Sequence, residues 1–418
     1  LLQKEATENL AELRSKGSNR ALIVSATGTG KTVLAAFDVK QFKAKRMLFV
    51  VHRYNIAKKA MDTFADVFDS NISMGLFSGD KKETDKDFLF STVQTINKEQ
   101  NLRQFDPDAF DYIVIDETHR AAAVTYQKII DYFNPDFLLG MTATPERTDG
   151  FNIFELFKNN IGCEIRLHRA MTEDLLCPFH YFGVTDITVE GRAIDDLADF
   201  NLLIHGDRVD KIIKTIREYG CDDGDPRGLI FCSSVNEAQE LSVAFNSRGF
   251  NTVSLSGNNS NQEREDAIYK IESNDVALKI DYIFTVDVFN EGIDIPRINQ
   301  IIMLRPTQSA IIFIQQLGRG LRKLENKEYL TVIDFIGNYQ NNYMIPIALY
   351  GDSSLNKDTL RKLVSSGSSL IPGCSTVNFD EITKEQIFES IDSAKLNMKK
   401  DLLHDYQLMK FRLGRNPM

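Results

Sequence analysis

One stretch decides the fold of this chain: Ser25-Ala26-Thr27-Gly28-Thr29-Gly30-Lys31-Thr32. An apolar run precedes it and a helical pattern follows it, which predicts a turn between a buried strand and a helix. Gly28 and Gly30 allow backbone N–H groups to converge on phosphate oxygens, and the helix N-terminus adds positive potential. Lys31 supplies a mobile cation, and the hydroxyl of Thr32 can ligate Mg²⁺. The stretch therefore predicts a binding site for a nucleoside triphosphate and Mg²⁺, formed by Thr27, Gly28, Thr29, Gly30, Lys31 and Thr32.

The stretch departs from the strict phosphate-loop pattern G-x-x-x-x-G-K-[ST] at one position. Ser25 stands where the pattern has glycine, while the strand before the loop and the helix after it still match. The alternative is a glycine-rich turn that happens to precede a lysine and a threonine. The strand–turn–helix context favours the phosphate loop.

Length and composition limit the class of protein. The chain has 418 residues, more than one core comfortably holds, which predicts two domains and an appendage. Hydrophobic residues make up 43% of it, and no apolar run approaches the roughly 18 residues that cross a bilayer. We therefore expect a cytoplasmic protein without a membrane partner, monomeric in this form. Because the chain starts at Leu1 and stops after a helical pattern, we also expect it to be a piece of a longer protein.

Cysteine, histidine and charge exclude other classes. The five cysteines include no C-x-x-C pair and the six histidines show no ligand spacing, so neither a disulfide framework nor a zinc site is supported. The formal net charge of -10 argues against a protein that holds nucleic acid by bulk electrostatics alone. A localised groove remains compatible with this charge, because affinity depends on which charges face the phosphates.

Polar residues follow the predicted strands of the first half. His52 and Arg53 come after one apolar run, and Thr92 and Gln94 come after another. Strands joined by helices form a doubly wound parallel sheet, whose ligands lie at the carboxyl ends of the strands. Hydroxyls, amides and an arginine suit a nucleic-acid backbone, although each residue taken alone is more often a loop cap.

Two carboxylates end the buried run at residues 112–115. Asp116, at the tip of a central strand, can hold Mg²⁺ through water, and Glu117 can orient or deprotonate the attacking water. A helix-capping role is the alternative, which the upstream phosphate loop disfavours. Thr142 and Thr144 follow the next apolar run and are predicted to relay hydrogen bonds to the other domain.

The second half repeats the alternation of strands and helices without a phosphate loop. Periodicity weakens and acidic residues gather before it, which predicts a connection between domains. A segment rich in Ser, Gly and Lys, residues 351–374, predicts a linker or mobile loop. From Thr383, with Gln386 as a possible capping partner, to about Leu413, helical spacing predicts a helix that packs on the second domain; a nucleic-acid or partner contact is the minority alternative. The predicted boundaries are 1–165, first domain; 166–205, connection; 206–350, second domain; and 351–418, linker and helical extension.

Arg319 and Arg322 lie at the end of an apolar helical stretch. Residues three apart share a face of a helix, so both can point across a cleft. A guanidinium aimed at a transferring phosphoryl group stabilises the charge that develops in the transition state. Composition alone favours a solvated basic face, but the nucleotide needs a charge partner that the first half does not obviously supply.

The ordered motifs resemble those of the superfamily 2 helicases and translocases over nearly the full length. Within that superfamily the chain looks like the restriction-enzyme-like branch of the DEAD/DEAH-box proteins. Residues 151–157 and 176–183 are similar to bacterial members that are often fused to a phospholipase-D-like nuclease domain, which is not visible here. The matching motifs are the phosphate loop, Asp116-Glu117-Thr118-His119, Thr142-Ala143-Thr144, the segment with Gly292 and Asp294, and Gln315 through Arg322.

The resemblance implies the fold class and a role for each motif residue. The fold is α/β, with two tandem RecA-like doubly wound parallel-sheet domains, a cleft between them, and a C-terminal helical extension. Thr118 replaces the commoner alanine and Ser25 replaces alanine or glycine, and we expect both small changes to be tolerated. The resemblance implies that Gln3 reads adenine, although the residues alone equally allow a solvated helix position. It implies that Lys31 and Thr32 bind the ATP phosphates and Mg²⁺, and that Asp116 and Glu117 bind the metal and the water. It also implies that Gly292 and Asp294 line the ribose and γ-phosphate side, that Gln315 senses the γ-phosphate, and that Arg319 and Arg322 are arginine fingers.

We therefore expect an ATP-dependent helicase or translocase that acts on nucleic acid, with DNA favoured over RNA. One alternative is a nucleotide-gated binding or sensing module. Another is the motor part of a restriction or defence nuclease that does not separate strands itself, with the nuclease domain elsewhere in the full protein. The residues expected to contact the nucleic-acid backbone are His52, Arg53, Thr92, Gln94, Ser233, Ser256 and Thr285.

Overall fold

The structure is a computed structural model of the chain. It divides into two compact units, the first made of residues 1–167 and 399–418 and the second of residues 168–398. The described residues are 2–68, 72–79, 81–118, 124–143, 153–189, 192–195, 198–286, 295–306, 309–352, 355–367, 371, 374–394, 396, 406 and 409–410.

The first unit alternates strands and helices from its start, as the sequence predicts. Its parallel strands are mostly apolar runs with buried side chains, because helices cover both faces of a parallel sheet. The elements are α1 (Leu2–Ser15), β1 (Arg20–Ser25), α2 (Lys31–Phe42), β2 (Met47–Val51), α3 (Tyr54–Val67), β3 (Met74–Ser78), β4 (Lys81–Lys82), β5 (Phe88–Thr92), α4 (Val93–Ile96), α5 (Glu99–Leu102), β6 (Tyr112–Ile115), α6 (Val124–Tyr132), β7 (Phe137–Thr142), α7 (Ile153–Leu156) and β8 (Ile161–Ile165).

These strands form one sheet in the order β4-β3-β5-β2-β6-β7-β1-β8. The strand pairs are parallel except β3 with β4. All strands of this sheet except β4 therefore end at the same edge. On one face, α3 contributes Phe64, whose ring packs edge-on against Phe49 and Phe90 at centroid distances of 5.6 and 5.3 Å. This rigid sheet positions the loops after β1, β2, β5 and β6, which carry the predicted site residues.

The second unit has its own sheet and core. The helix α8 (Leu167–Thr172) lies at the boundary. The remaining elements are β9 (Phe179–Thr185), β10 (Thr188–Val189), β11 (Arg192–Ala193), α9 (Phe200–Leu203), α10 (Gly206–Tyr219), β12 (Gly228–Phe231), α11 (Val235–Asn246), β13 (Thr252–Leu255), α12 (Asn261–Glu272), β14 (Tyr282–Thr285), β15 (Gln300–Met303), α13 (Ala310–Leu317), β16 (Leu330–Ile336), α14 (Met344–Tyr350), α15 (Lys357–Ser366), β17 (Thr376–Phe379) and α16 (Glu381–Ser393).

Its main sheet has the order β13-β14-β12-β15-β16-β9-β17, and its strand pairs are parallel. Each unit is thus a parallel α/β sheet with helical crossovers, and the predicted fold class is confirmed for each unit. Among the described residues, no helix combines the length and the apolar character that a membrane span requires.

The structure differs from the predicted connection at 166–205. Strand β9 falls in that segment and pairs with β16 on one side and β17 on the other, so it belongs to the second sheet. Its side chains alternate, with Phe179 and Tyr181 buried and their neighbours His180 and Phe182 only half-buried. The alternation is short and lies close to an acidic stretch. The average composition of residues 166–205 therefore does not reveal the strand.

The segment after residue 350 also differs from the predicted linker and long helix. Helix α15 lies inside the predicted linker, capped by Asn356, whose side chain accepts from the backbone N–H of Thr359, and it buries Leu360 and Val364 one turn apart. Helix α16 is capped by Asp380 and ends at Ser393, well before Leu413. Gln386 is not part of the cap, because its side chain donates to Asn338 Oδ1. Beyond α16, the described Tyr406 and Met409 are exposed.

Candidate nucleotide and nucleic-acid sites

The phosphate loop has the backbone geometry that its glycines predict. Gly28 has φ 87° and Gly30 has φ 81°, both in the left-handed region that favours glycine. Gly30 is the N-cap of α2, so the helix begins at Lys31, and its first N–H groups lie at the loop. The loop thus combines a turn with a helix N-terminus, which is the arrangement that binds phosphate.

Ser25, the departure from the strict pattern, makes a hydrogen bond inside the loop. Its Oγ lies 2.6 Å from Thr29 Oγ1, and Thr29 Oγ1 donates to the carbonyl of Ala26 at 2.7 Å. Because the single proton of Thr29 is engaged with that carbonyl, Ser25 is the donor in the first bond. The serine therefore adds a hydrogen bond that glycine would lack.

Lys31 lies against the loop that it is predicted to serve. Its Nζ donates to the carbonyl oxygens of Ser25 at 3.0 Å and of Ala26 at 3.2 Å. A phosphate would offer the ammonium stronger, charge-assisted partners at the same loop. The side chains of Thr27 and Thr32 are half-buried beside it.

Gln3 touches the phosphate loop. Its Nε2 donates to the carbonyl of Thr29 at 3.4 Å, and a Cβ built on Gly30 would stand 2.9 Å from that nitrogen. The residue is half-buried, so it is part of the surroundings of the loop and not of a solvated helix face. Its role in reading adenine stays a prediction.

The carboxylate pair forms a tight turn at the end of β6. Asp116 Oδ1 accepts from the backbone N–H of Glu117 at 2.9 Å, and Glu117 has φ 53°. A non-glycine residue in the left-handed region is strained, and such strain concentrates at functional sites. Thr118 is fully buried and its Oγ1 donates to the carbonyl of Met141 at 3.0 Å, so the departure from alanine ties this turn to β7.

The oxygen donors of the first unit fit Mg²⁺. Thr32 offers a hydroxyl and Asp116 a carboxylate. Among the described residues, no group of three or more His, Cys, Asp or Glu side chains could hold a metal by itself. Mg²⁺ is usually bound by one or two protein oxygens together with phosphate and water, and Thr32 and Asp116 offer oxygens of this type.

The predicted nucleic-acid residues of the first unit lie on neighbouring strands. His52 follows β2 and Gln94 follows β5, and Gln94 Nε2 lies 2.9 Å from His52 Nδ1. Thr92 is buried and bonds through its hydroxyl to Ser78 at 2.9 Å and to Thr95 at 3.0 Å. Arg53 is half-buried at the start of α3.

Sequence reasoning missed Ser78, a polar residue at the same sheet edge that bonds to Thr92. It is the last residue of β3, the strand next to β5. A short apolar run, Leu76-Phe77, followed by Ser78-Gly79, is a local signal that indicates a strand end.

In the second unit, the three predicted contacts lie at the carboxyl ends of neighbouring strands: Ser256 follows β13, Thr285 is the last residue of β14, and Ser233 is the second residue after β12. Ser233 is exposed, and its backbone N–H donates to Glu237 Oε2 at 2.7 Å. Ser256 is buried, and its N–H donates to Asn259 Oδ1 at 2.8 Å. Thr285 is 0% exposed, so a direct contact with nucleic acid requires this position to open.

The structure corrects the argument that Arg319 and Arg322 share a helix face. Helix α13 ends at Leu317, and residues 318–320 form a turn. The glycines on either side of Arg319 explain why the helix stops there, since glycine disfavours helix continuation. Arg319 is 7% exposed and Arg322 is half-buried, while Gln315 remains on α13 and is half-buried.

Four further motif residues lie outside the described residues: His119, Thr144, Gly292 and Asp294.

Two family models match the chain. The model described as type III restriction enzyme, res subunit, matches residues 1–147, and the helicase conserved C-terminal domain matches residues 207–323. The first match contains the phosphate loop and the carboxylate turn. The second contains Ser233, Ser256, Gln315, Arg319 and Arg322.

Curated relatives agree with these models. The chain is 28% identical over 363 residues to the Saccharomyces cerevisiae protein named ATP-dependent helicase IRC3, covering 80% of this chain and 51% of that protein. It is 27% identical over 375 residues to the EcoAI endonuclease subunit of a type I restriction enzyme from Escherichia coli, covering 80% of this chain and 45% of the subunit. The chain thus spans about half the length of the curated relatives it matches.

A solved structure shares the fold. The fragment structure of an HsdR subunit of a type I restriction enzyme from Vibrio vulnificus aligns with a TM-score of 0.61 at 21% identity, covering 80% of this chain and 63% of that one. At this identity the likeness concerns the fold alone. The motif order and both family models point the same way, and the chain belongs to the superfamily 2 helicases and translocases, in their restriction-enzyme-like branch.

Proposed function

We propose that this chain is an ATP-driven motor that hydrolyses ATP at the first unit and moves along nucleic acid. The observation that carries the proposal is the arrangement of two loops at one sheet edge. The phosphate loop follows β1 and the carboxylate turn follows β6, and only β7 separates these strands. Two strand spacings are roughly 10 Å, which leaves room for a triphosphate and its metal between Lys31 and Asp116.

Each residue of the first unit then has a chemical task. Lys31 and the loop N–H groups hold the phosphates, while Thr32 and Asp116 hold Mg²⁺, which neutralises charge on the phosphates when bound. Glu117 orients the attacking water and accepts its proton. Gln3 reads the adenine edge from its position against the loop.

The second unit supplies the groups that respond to the γ-phosphate. We assign this role to Gln315, Arg319 and Arg322, with Gly292 and Asp294 on the ribose and γ-phosphate side. Guanidinium groups stabilise the charge that develops during phosphoryl transfer. Loss of the γ-phosphate on hydrolysis removes their partner, so ATP and ADP favour different states of the motor.

DNA is the substrate that we favour. One relative is named as a restriction-enzyme subunit and one family model as the res subunit of a restriction enzyme, and restriction enzymes act on DNA. The polar residues after β2, β5, β12 and β13 suit contacts with the backbone, so we expect little sequence preference. A nuclease domain would then reside in another part of the longer protein.

Steady-state ATP hydrolysis tests the nucleotide site. We expect Glu117→Gln to retain ATP binding and to lose turnover, because the amide cannot accept the proton of the attacking water. We expect Lys31→Ala to lose ATP affinity. An unchanged hydrolysis rate in Glu117→Gln removes the role assigned to Glu117.

A second assay tests the motor. Hydrolysis is measured with single-stranded DNA, duplex DNA and RNA, beside strand displacement on a partial duplex. We expect DNA to stimulate hydrolysis more than RNA does. Slow hydrolysis without stimulation or displacement identifies a nucleotide-gated binding module and contradicts the motor.

A further inference from the structure

Three charged side chains of the second unit lie together and are excluded from solvent. Arg208 on α10 pairs with Asp186, Nη2 to Oδ2 at 2.8 Å, and with Glu237 on α11, Nη1 to Oε1 at 3.2 Å. The side chains of Arg208, Asp186 and Glu237 are 0%, 1% and 0% exposed. A buried ion cluster of this kind adds little stability over apolar packing of the same volume, so stability alone does not account for it.

The cluster joins the carboxyl ends of three strands of the second sheet. Asp186 follows β9, and Arg208 Nη2 also contacts the carbonyl of Leu304, which follows β15, at 3.5 Å. Glu237 Oε2 accepts from the backbone N–H of Ser233, two residues after β12, at 2.7 Å. A further donor of the same guanidinium, Nη1, reaches the carbonyl of Leu203 at 2.8 Å.

The chemistry of the cluster requires arginine. The guanidinium is a rigid planar fork with five N–H donors, which lets it reach two carboxylates and two carbonyls at once. A lysine ammonium has three donors at a single point and cannot span these partners. Burial raises the pKa of Glu237, although the Arg208 guanidinium and the backbone N–H groups of Ser233 and Ser234 oppose the shift.

We propose that Arg208 is a positioning residue for nucleic-acid binding. Through Glu237 it fixes the backbone of Ser233, and through the Leu304 carbonyl it fixes the start of the segment that continues into Arg305, a half-buried side chain of the type that binds phosphate. Both segments lie at the carboxyl edge of the sheet. The inference rests on the proposed function, since it concerns how the second unit holds the nucleic acid.

The test compares Arg208→Lys with a matched control, Arg227→Lys. Arg227 is also buried, donates through Nη1 to the carbonyls of Ile271 and Ser273 at 2.7 Å each, and pairs with Asp225 at 2.9 Å. It precedes β12, so it lies at the opposite edge of the same sheet. Both substitutions disturb a buried arginine of the second unit, but only the first disturbs the proposed binding edge.

The readouts are the Kd for fluorescent single-stranded and duplex DNA, the DNA concentration that half-saturates ATPase stimulation, the Kd for ATP, and unfolding by circular dichroism. We expect Arg208→Lys to raise the DNA Kd and the half-saturating concentration about tenfold, because misplaced charge-assisted bonds cost that much. The ATP Kd stays near that of the wild type, because the partners of Arg208, which are Asp186, Glu237 and the carbonyls of Leu203 and Leu304, are not residues that we assign to ATP. We expect Arg227→Lys to lower the unfolding midpoint and to leave DNA affinity unchanged.

If Arg208→Lys does not fold, Glu237→Gln tests the same proposal. Its amide has one oxygen to share between Ser233 N–H and the guanidinium, so we expect a smaller rise in DNA Kd in a folded protein. Wild-type DNA affinity in either folded variant overturns the proposal, as does an equal loss in Arg227→Lys. Absence of DNA binding in the wild type is a separate result, which overturns the proposed function as well.

Discussion

The hydroxyl of Ser25 adds a bond to the phosphate loop that the strict sequence pattern does not contain. Because Ser25 donates to Thr29, and Thr29 donates to the carbonyl of Ala26, two side chains hold the turn in its phosphate-binding shape. We expect Ser25→Ala to raise the KM for ATP about fivefold, since one hydrogen bond contributes about 1 kcal/mol. ATPase titrations measure this.

Thr29→Ser is the control, because it keeps the hydroxyl that accepts from Ser25 and donates to Ala26. We expect its KM to stay close to that of the wild type. A KM for Ser25→Ala that matches the wild type contradicts the role given to the serine.

Asp334 gives the second unit a pH-dependent stability. The residue lies on β16 and is buried, and it accepts a hydrogen bond from the hydroxyl of Tyr181 at 2.6 Å. Burial raises the pKa of Asp334 from its ordinary value of 3.8 to about 7, although the Tyr181 bond opposes the shift. Between pH 4 and pH 7 the folded state therefore keeps a proton that the unfolded chain has lost. The free energy of unfolding falls as pH rises through this window, by about 4 kcal/mol in total.

We expect Asp334→Asn to remove this pH dependence, because the amide is neutral in both states. Urea unfolding from pH 4 to pH 8 measures it. The difference in free energy of unfolding, variant minus wild type, should increase as pH rises from 4 to 7. It should become constant above pH 7. Parallel profiles for the two proteins contradict the raised pKa.

At this scale, the sequence predicted residues whose chemistry is local. The phosphate loop and the carboxylate turn are contiguous motifs, so their residue types identify them. Bonds between distant segments, such as Thr118 to Met141 or Arg208 to Asp186, depend on how strands are placed and leave no local signal. The helix through Arg319 was a local error, since the glycines around it indicate a helix end.

The strands and helices that carry the motifs were predictable because a buried parallel strand is a continuous apolar run. Strand β9 was missed because its first buried residues alternate with half-buried ones and because an acidic stretch lies close to it in the sequence. Helix α15 was missed because the Ser, Gly and Lys content of residues 351–374 hid the Leu360 and Val364 pair. In both cases average composition outweighed periodicity, which is the better signal.

Helix α16 is an integral part of the second unit and not a loose extension. It contacts β9, and Ile387 is 0% exposed while Ile382 on the same helix is 57% exposed. We expect Ile387→Ala to lower the free energy of unfolding of the second unit by about 2 to 5 kcal/mol, the cost of a cavity in a packed core. Chemical denaturation measures this loss.

Ile382→Ala is the matched control, with the same chemical change on the exposed face. We expect it to shift the unfolding free energy by less than about 0.5 kcal/mol. Equal losses in the two variants contradict the packing of α16 on the sheet.

Each of the two units has its own large sheet and its own hydrophobic core. Each unit can therefore unfold in a transition of its own. The transition that Ile387→Ala lowers is that of the second unit. A ligand that binds one unit stabilises it by RT ln(1 + [L]/Kd), about 2.7 kcal/mol at a hundredfold excess over Kd. Ligand-induced shifts thus report which unit contacts the nucleotide.

The proposed motor makes a specific prediction for these shifts. With saturating DNA present throughout, adding a non-hydrolysable ATP analogue should raise the transition of the first unit through the phosphate loop. It should also raise that of the second unit, because Arg319 and Arg322 are proposed to hold the γ-phosphate in the same complex. In Arg319→Ala and Arg322→Ala only the first shift should remain, since Lys31 still binds the analogue. A second-unit shift that persists in both variants, or that is missing in the wild type, contradicts the assignment of these arginines to the nucleotide.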